Sequence, residues 1–323
     1  MDPEFLLCGL EDLGALRLRG ADAGRFLQGQ LSGDVLQLSP DRSLLAGYHN
    51  PQGRTIALLR LVHLGAEDVL AILPRELLAP VAQRLGKFVL RSKVTITDDS
   101  AQWRIDGLIC AAPAGVCAGT STLPLPAGGQ RRLGETIVVC VAEHPQRWIA
   151  LCPRAPAPGR TGQSSLPAQP PAGAEPALPP ATAAERARWR ELDVRAGQPE
   201  VYAPTSEQFV AQMLNLDVIG AIAFDKGCYT GQEVIARAHY RGRVKRRLQR
   251  FRSREPLALA PGGTGSLPDG RPFTVVQAAR LADGRCEFLA VARLPGAEPE
   301  SSGTEAAKPV DAQPLPLPYA LPE

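Results

Sequence analysis

The sequence predicts an α+β protein whose helices and sheets pack in layers. Three observations carry that prediction. In the N-terminal third, stretches with the two-residue period of a strand alternate with stretches of helical spacing, in the order strand, helix, strands, helix, strand. Asn50, Pro51, Gln52 and Gly53 form a tight-turn signal that joins two of those strands directly, which an all-parallel doubly wound sheet does not allow. Towards the C-terminus two more alternating stretches flank the turn "ADGR", the pattern of a small all-β module.

Taken in order, "GALRL" (14–18) alternates as a half-buried strand does. "GADAGRFLQGQL" (20–31) follows as a short helix, with Asp22 as its cap, Phe26, Leu27 and Leu31 on one face, and Gly33 and Asp34 ending it. "SLLAGYHNPQGRTIALLRLV" (43–62) gives two strands around the 50–53 turn, and "EDVLAILP" (67–74) a third. In "RELLAPVAQRLGKFVL" (75–90), Leu77, Leu78, Val81 and Leu85 fall at helical spacing; "KVTITDD" (93–99) is a β-branched strand. Between 155 and 183, 19 of 29 residues are Pro, Ala or Gly, too little apolar surface to offset the entropy of ordering, so this reads as a linker or insertion. Order is expected to resume with the helix "AERARWRELDVRAG" (184–197). "RPFTVVQAARL" (271–281) and "CEFLAVARL" (286–294) supply the C-terminal strands. The expected division is a leader at 1–5, an α+β region at 6–154, the Pro/Ala-rich segment at 155–183, a central region at 184–249 and a β-module at 250–323.

At 44% hydrophobic and 21% charged residues, the 323-residue chain has an ordinary globular composition and enough length for two or three packed units. It contains no apolar run near the roughly 18 residues of a spanning helix, so no membrane partner is expected. "MDPEF" has neither part of a secretory signal and reads as a vector-derived leader. The seven cysteines are odd in number, scattered and never spaced C-x-x-C. This argues against a disulfide framework and a self-contained zinc or cluster site; no metal ligands are assigned, and a reducing cytoplasm is expected. The net charge of +3 is small, yet nine basic and no acidic residues lie between Arg237 and Arg254.

The densest chemistry lies in "FDKGCYTGQEVIARAHYRGRVKRRL" (224–248). Gly227 and Gly231 suggest a tight loop leading into a helix or strand. Lys226, with Arg237, His239 and Arg241 if the chain folds back, would surround Cys228 with positive charge and favour its thiolate. Against this stands the plainer reading of a turn cysteine with a solvated basic strand behind it.

"KGCYTGQE" followed by "ARAHYRG" and "KRRL" closely resembles the signature of the YgfZ-type folate-binding proteins, relatives of the glycine cleavage aminomethyltransferase (T-protein). "LRGADAGRFLQGQLSGDV", "NPQGR", "SKVTI", "NLDVIGAIAFDKGCYTGQE" and "PLPYALPE" are similar to further family segments, so the likeness covers nearly the whole chain. It implies a three-lobed α+β ring around a central channel, with a C-terminal β-barrel and tetrahydrofolate or a derivative in the channel. It also implies a bacterial, cytoplasmic role in making or repairing iron–sulfur enzymes, including those that thiomethylate tRNA.

On that resemblance Cys228 is the chemical centre. Lys226 would tune the thiol, Gly227 and Gly231 shape the loop, and Tyr229, Gln232 and Glu233 fix it or bond a ligand. Trp189 would stack on the folate, and Arg237 and Arg241 would take its glutamate tail. The chain departs from the pattern of its relatives in four places. The catalytic aspartate's place falls on Ala57, which argues against glycine-cleavage chemistry. Cys228 stands where those enzymes have an acid, and Arg195 replaces the glutamate of "EAG"; Leu13 takes the place of a second aromatic. Expected partners are the folate and iron–sulfur client enzymes, the chain being a monomer. Two alternatives are a folate-dependent one-carbon transferase, with Asp225 or Glu233 as substitute base, and a basic RNA-binding module. Only Tyr240 and Phe251 interrupt the basic run as aromatics, which argues against direct nucleic-acid binding. Stable clusters need about four ligands, so cluster contact would be transient and shared with a partner, His49 and His239 being further candidate ligands.

Overall fold

Three five-stranded antiparallel sheets organise the computed structural model, which describes residues 5–110, 123, 126–154, 182–242, 244–296 and 308–322. The strands are β1 (Phe5–Gly9), β2 (Leu13–Arg19), β3 (Leu44–His49), β4 (Thr55–Gly65), β5 (Asp68–Pro74), β6 (Thr95–Asp98), β7 (Trp103–Cys110), β8 (Gln130–Leu133), β9 (Thr136–Glu143), β10 (Gln146–Pro153), β11 (Arg246–Ser253), β12 (Thr264–Ser266), β13 (Pro272–Arg280), β14 (Cys286–Arg293) and β15 (Ala312–Leu315). Four α-helices accompany them: α1 (Ala23–Gln30), α2 (Leu78–Val89), α3 (Ala183–Arg195) and α4 (Gln232–Tyr240).

The first sheet, ordered β3-β4-β5-β2-β6, is buried on both faces. Successive side chains of a strand point to opposite sides. In β5, Val69, Ala71 and Leu73 join the core that holds α1 and α2, while Leu70 and Ile72 face the second sheet. The expected half-buried strand is therefore nearly wholly buried, and its one charge, Arg17, is paired with Asp68 at 2.6 Å and Asp99 at 3.3 Å. Asp22 does not cap α1 with its side chain; its carboxylate accepts from the backbone N–H of Lys93 at 2.7 Å.

The second sheet, β1-β7-β10-β9-β8, was not anticipated beyond the α+β assignment of its region. Phe5, assigned to a leader, is part of β1: it pairs with Cys110 and meets the Trp148 ring edge-on at 5.9 Å. Residues 1–4 and 155–181 of the expected leader and linker lie outside the described residues. Cys110 is disulfide-bonded, while Cys8, Cys140, Cys152, Cys228 and Cys286 are free.

The third sheet runs β12-β13-β14-β11-β15. Among the described residues it is not a closed barrel: β12 and β15 share no ladder. One parallel bridge, Ser266 to Pro309, links β12 to the chain entering β15. Helix α3, which carries a complete Thr182–Glu185 capping box, packs on β13 and β1 and so stands between the second and third sheets. Leu248, Val276 and Leu289 of the third sheet belong to the same core as Leu16 and Leu59 of the first.

Candidate functional site

Two motifs far apart in sequence meet in space. The 50–53 turn closes with Gly53 N–H donating to the Asn50 carbonyl at 2.9 Å, and Gly53 has φ +70°. Gly231, at φ +83°, caps the N-terminus of α4 directly against it; a Cβ there would lie 2.5 Å from the Asn50 carbonyl oxygen. Gly231 thus needs both its left-handed backbone and its missing side chain. Gly227 needs neither: its φ is not positive and a Cβ would meet nothing within 4 Å, so the expectation that it shapes the loop is not carried by the geometry.

Cys228 is exposed at the crest of this loop and makes no hydrogen bond among the described residues. Lys226 does not address it. Its Nζ donates to the carbonyls of Gln28 at 2.7 Å, Leu31 at 2.6 Å and Gly33 at 2.9 Å, closing the C-terminal end of α1 and using all three donors of an ammonium. Burial pulls its pKa down to about 8. Tyr229 turns inward, its hydroxyl pushed up to about 12 by burial, and tilts against His49 at 6.4 Å. His49 is fully buried and held neutral, its pKa lowered to about 3 by burial; Nδ1 lies 3.3 Å from the Thr55 hydroxyl and Nε2 has no hydrogen-bond partner among the described residues. Gln232 and Glu233 form the first turn of α4, and Asp225 and Glu233 are both exposed.

The outer side of α4 presents Glu233, Val234, Arg237, Tyr240 and Arg241 around an open groove. His239 stacks on Phe224 at 3.8 Å, and Tyr240, 68% exposed, stands edge-on to both rings. The basic run that follows is not one charged face. Arg247 forms a buried pair with Asp217 at 2.9 Å, Arg250 and Arg252 both bind the buried Glu287, and Arg254 lies 3.6 Å from Asp311.

Trp189 lies elsewhere, in a cavity of about 80 Å³ where all three sheets meet α3. Its ring packs on Gly107, where a Cβ would lie 2.4 Å away, and Arg147 sits 4.9 Å from the ring centroid. Arg147 pairs with Asp193 at 2.6 Å. Arg60, Glu200 and Tyr202 line it as well, beside Asp12, Arg190 and Gln198, and Leu13 borders it too. Burial raises the Glu200 carboxyl to about 8 and pushes the Tyr202 hydroxyl up as well. None of the residues from Lys226 to Arg241 lines this cavity, so the expected single site is divided. Arg195 is outside it also, bridging Glu191 and Glu287. Ala57 is completely buried in the main core.

Sequence reading missed Arg60, Glu200 and Tyr202. Arg60 had a signal, as the one charge inside the apolar run "TIALLRLV"; Glu200 and Tyr202 follow α3 in an irregular stretch without periodicity. The cavity's polar set suits a pteridine: an indole, a carboxyl and a guanidinium, with the Gln277 side-chain oxygen buried and without a partner among the described residues beside them. Its volume, two or three waters at about 30 Å³ each, requires widening before a pteridine enters.

The glycine cleavage aminomethyltransferase T of Bartonella henselae matches this structure with a TM-score of 0.60 over 90% of this chain and 78% of its own, at 10% identity. The three sheets, with α3 between two of them, therefore define an aminomethyltransferase-like fold. No family model matches the sequence. The tRNA-modifying protein YgfZ of Escherichia coli O157:H7 is 31% identical over 297 residues, spanning 86% of this chain and 82% of the relative. That of Serratia proteamaculans is 30% identical over 282 residues, spanning 86% and 81%. The chain belongs to the YgfZ family.

Proposed function

We propose that this chain is a folate-binding accessory protein that takes part in tRNA modification by supporting the assembly or repair of iron–sulfur enzymes. Its scaffold would be a ring around a channel, with Cys228 as the reacting thiol. The observation that carries the reading is the coexistence of an exposed thiol, on a loop fixed by two facing glycines, with a polar internal cavity where the sheets meet. The relatives' name supplies the link to tRNA, and the motif resemblance supplies folate and iron–sulfur clients. A transferase role is disfavoured by Ala57, whose methyl lies in the apolar core where no carboxylate is available to a ligand.

Titration with tetrahydrofolate tests the folate part: wild type should bind and Trp189→Ala should bind more weakly, whereas absence of wild-type binding sinks it. For the thiol, Cys228→Ser should fail to restore iron–sulfur enzyme activity in a strain lacking the protein; full restoration would remove the cysteine from the reading. One observation favours a second, narrower reading, a local RNA contact at α4: exposed Tyr240 stands beside Arg237 and Arg241, neither of which has an ion-pair partner among the described residues. Filter binding with tRNA across salt concentrations should show weakening on Tyr240→Ala; equal retention of variant and wild type refutes it.

A further inference from the structure

Helix α2 ends in a way that is unfavourable for the isolated chain on two counts. The residue that ends it, Leu90, has its backbone at φ +41° and ψ −103°. Such a conformation suits glycine, which commonly terminates helices, and strains a leucine. The side chain gains no burial in return: Leu90 is 87% exposed, and Phe88 beside it is 48% exposed. Folding alone does not call for a leucine here, so the strain points to a surface that another molecule covers.

Phe88 and Leu90 line an open groove of about 810 Å³, which the buried Phe26 of α1 lines from the other side. Arg25 and Arg91 flank it, both exposed and without a hydrogen-bond or ion-pair partner among the described residues. The one acid of the groove, Asp22, already accepts the backbone N–H of Lys93 at 2.7 Å. A cation at position 91 is favoured by the C-terminal end of α2 whatever binds there, but Arg25 stands in the first turn of α1, the end that disfavours one. We infer that this groove docks another protein through an acidic amphipathic helix, whose apolar side chains meet Phe26, Phe88 and Leu90 and whose carboxylates pair with Arg25 and Arg91. The unpaired guanidiniums select the acid, the apolar lining selects the amphipathic face, and a groove bordered by two helices is what a third helix fills. RNA fits less well, because leucine offers no face on which a base can stack and Asp22 opposes phosphate. None of these residues lines the Trp189 cavity, so the docking stands or falls apart from the folate reading.

The test places the photocrosslinker p-benzoylphenylalanine at Phe88 of the full chain, in a strain lacking the protein, with Leu133 on β8 as the exposed control position. The expected result is a discrete adduct with another protein, whose crosslinked segment, sequenced by mass spectrometry, carries apolar residues at helical spacing among Asp and Glu. Its yield should fall about 10-fold or more when Arg25→Glu and Arg91→Glu are combined. Leu90→Gly should weaken binding of that segment, made as a synthetic peptide, about 10-fold, yet melt no lower than wild type because glycine relieves the backbone. A lower melting point would make Leu90 a packing residue and overturn the inference. The same follows from no adduct beyond the control, an adduct within the chain or between two copies, or a segment without acidic residues. If Leu90→Gly abolishes flotation on phosphatidylglycerol vesicles or retention of tRNA on filters, the face serves a lipid surface or an RNA and the protein docking is overturned.

Discussion

Gly107→Ala is a sharp test of whether Trp189 and the cavity are as tightly set as the structure indicates. Gly107 lies in the middle of β7, paired with Cys8 on one side and Ile149 on the other, so its backbone cannot easily retreat. An added Cβ would stand 2.4 Å from Cε3 and 2.5 Å from Cζ3 of Trp189, whereas ordinary contact begins at 3.4 Å. The indole must therefore shift by about 1 Å, into the cavity it lines or away from Arg147. Overpacking of this kind costs about 1–3 kcal/mol. Thermal melting should fall by a few degrees, up to about 10 °C. The tryptophan emission should change, and tetrahydrofolate affinity, where wild type shows it, should drop. Gly24→Ala is the control: it lies in α1 and its Cβ would meet nothing within 4 Å, so the change should be neutral or slightly stabilising. If Gly107→Ala melts with that control and its emission is unchanged, the packing of Trp189 on β7 is wrong and the cavity's outline with it.

The two glycines of the Cys228 loop should respond oppositely. Gly231→Ala combines left-handed backbone strain with a backbone clash and should cost at least ~2 kcal/mol in urea unfolding, whereas Gly227→Ala should stay within about 0.5 kcal/mol. Equal effects would refute the docking of the loop on the 50–53 turn. Ala57→Asp, meant to restore the missing acid, should instead lower stability by several kcal/mol because its carboxylate would enter the apolar core; near-wild-type melting would contradict that. His49 binds its proton with a pKa of about 3 in the folded chain against an ordinary 6.5. The unfolded chain therefore takes up more protons between those values, and stability is lost as pH falls through them. From pH 7.5 to 5 wild type should lose about 2 kcal/mol that His49→Gln keeps; parallel losses would place His49 in contact with water.

What was legible in the sequence follows the physics of each element. The 50–53 turn, α2, α3 and the β13–β14 hairpin announce themselves because local patterning and turn chemistry agree there. The second sheet was missed because strands such as β9, "TIVVCVAE", are short continuous apolar runs without alternation, which periodicity cannot assign. The Cys228 loop was legible as a motif, yet its seat on the 50–53 turn is a tertiary fact. Lys226 was misread for the same reason: nearness in sequence suggested Cys228, while the three carbonyls that hold it lie at the C-terminal end of α1 and just beyond it, almost 200 residues away. The basic run misled because its pairing acids, Asp217, Glu287 and Asp311, are scattered along the chain.

The division of the site constrains any mechanism. The Cys228 loop abuts the turn that opens β4, and the cavity meets the same strand at Leu58 and Arg60. From Thr55 to Leu58 and Arg60 is three and five residues, about 10 and 17 Å at the rise of a strand. A thiol at one end does not touch a small ring anchored at the other, so the two groups serve either a ligand long enough to span that distance or two different molecules. Their perturbations should therefore separate. Trp189→Ala should weaken tetrahydrofolate while Cys228 keeps its wild-type rate with a thiol reagent, and Cys228→Ser should keep wild-type tetrahydrofolate affinity. A loss of folate affinity in Cys228→Ser, in a protein that melts like wild type, would mean that the loop closes over the cavity and that the division seen in this structure is one conformation of a joined site.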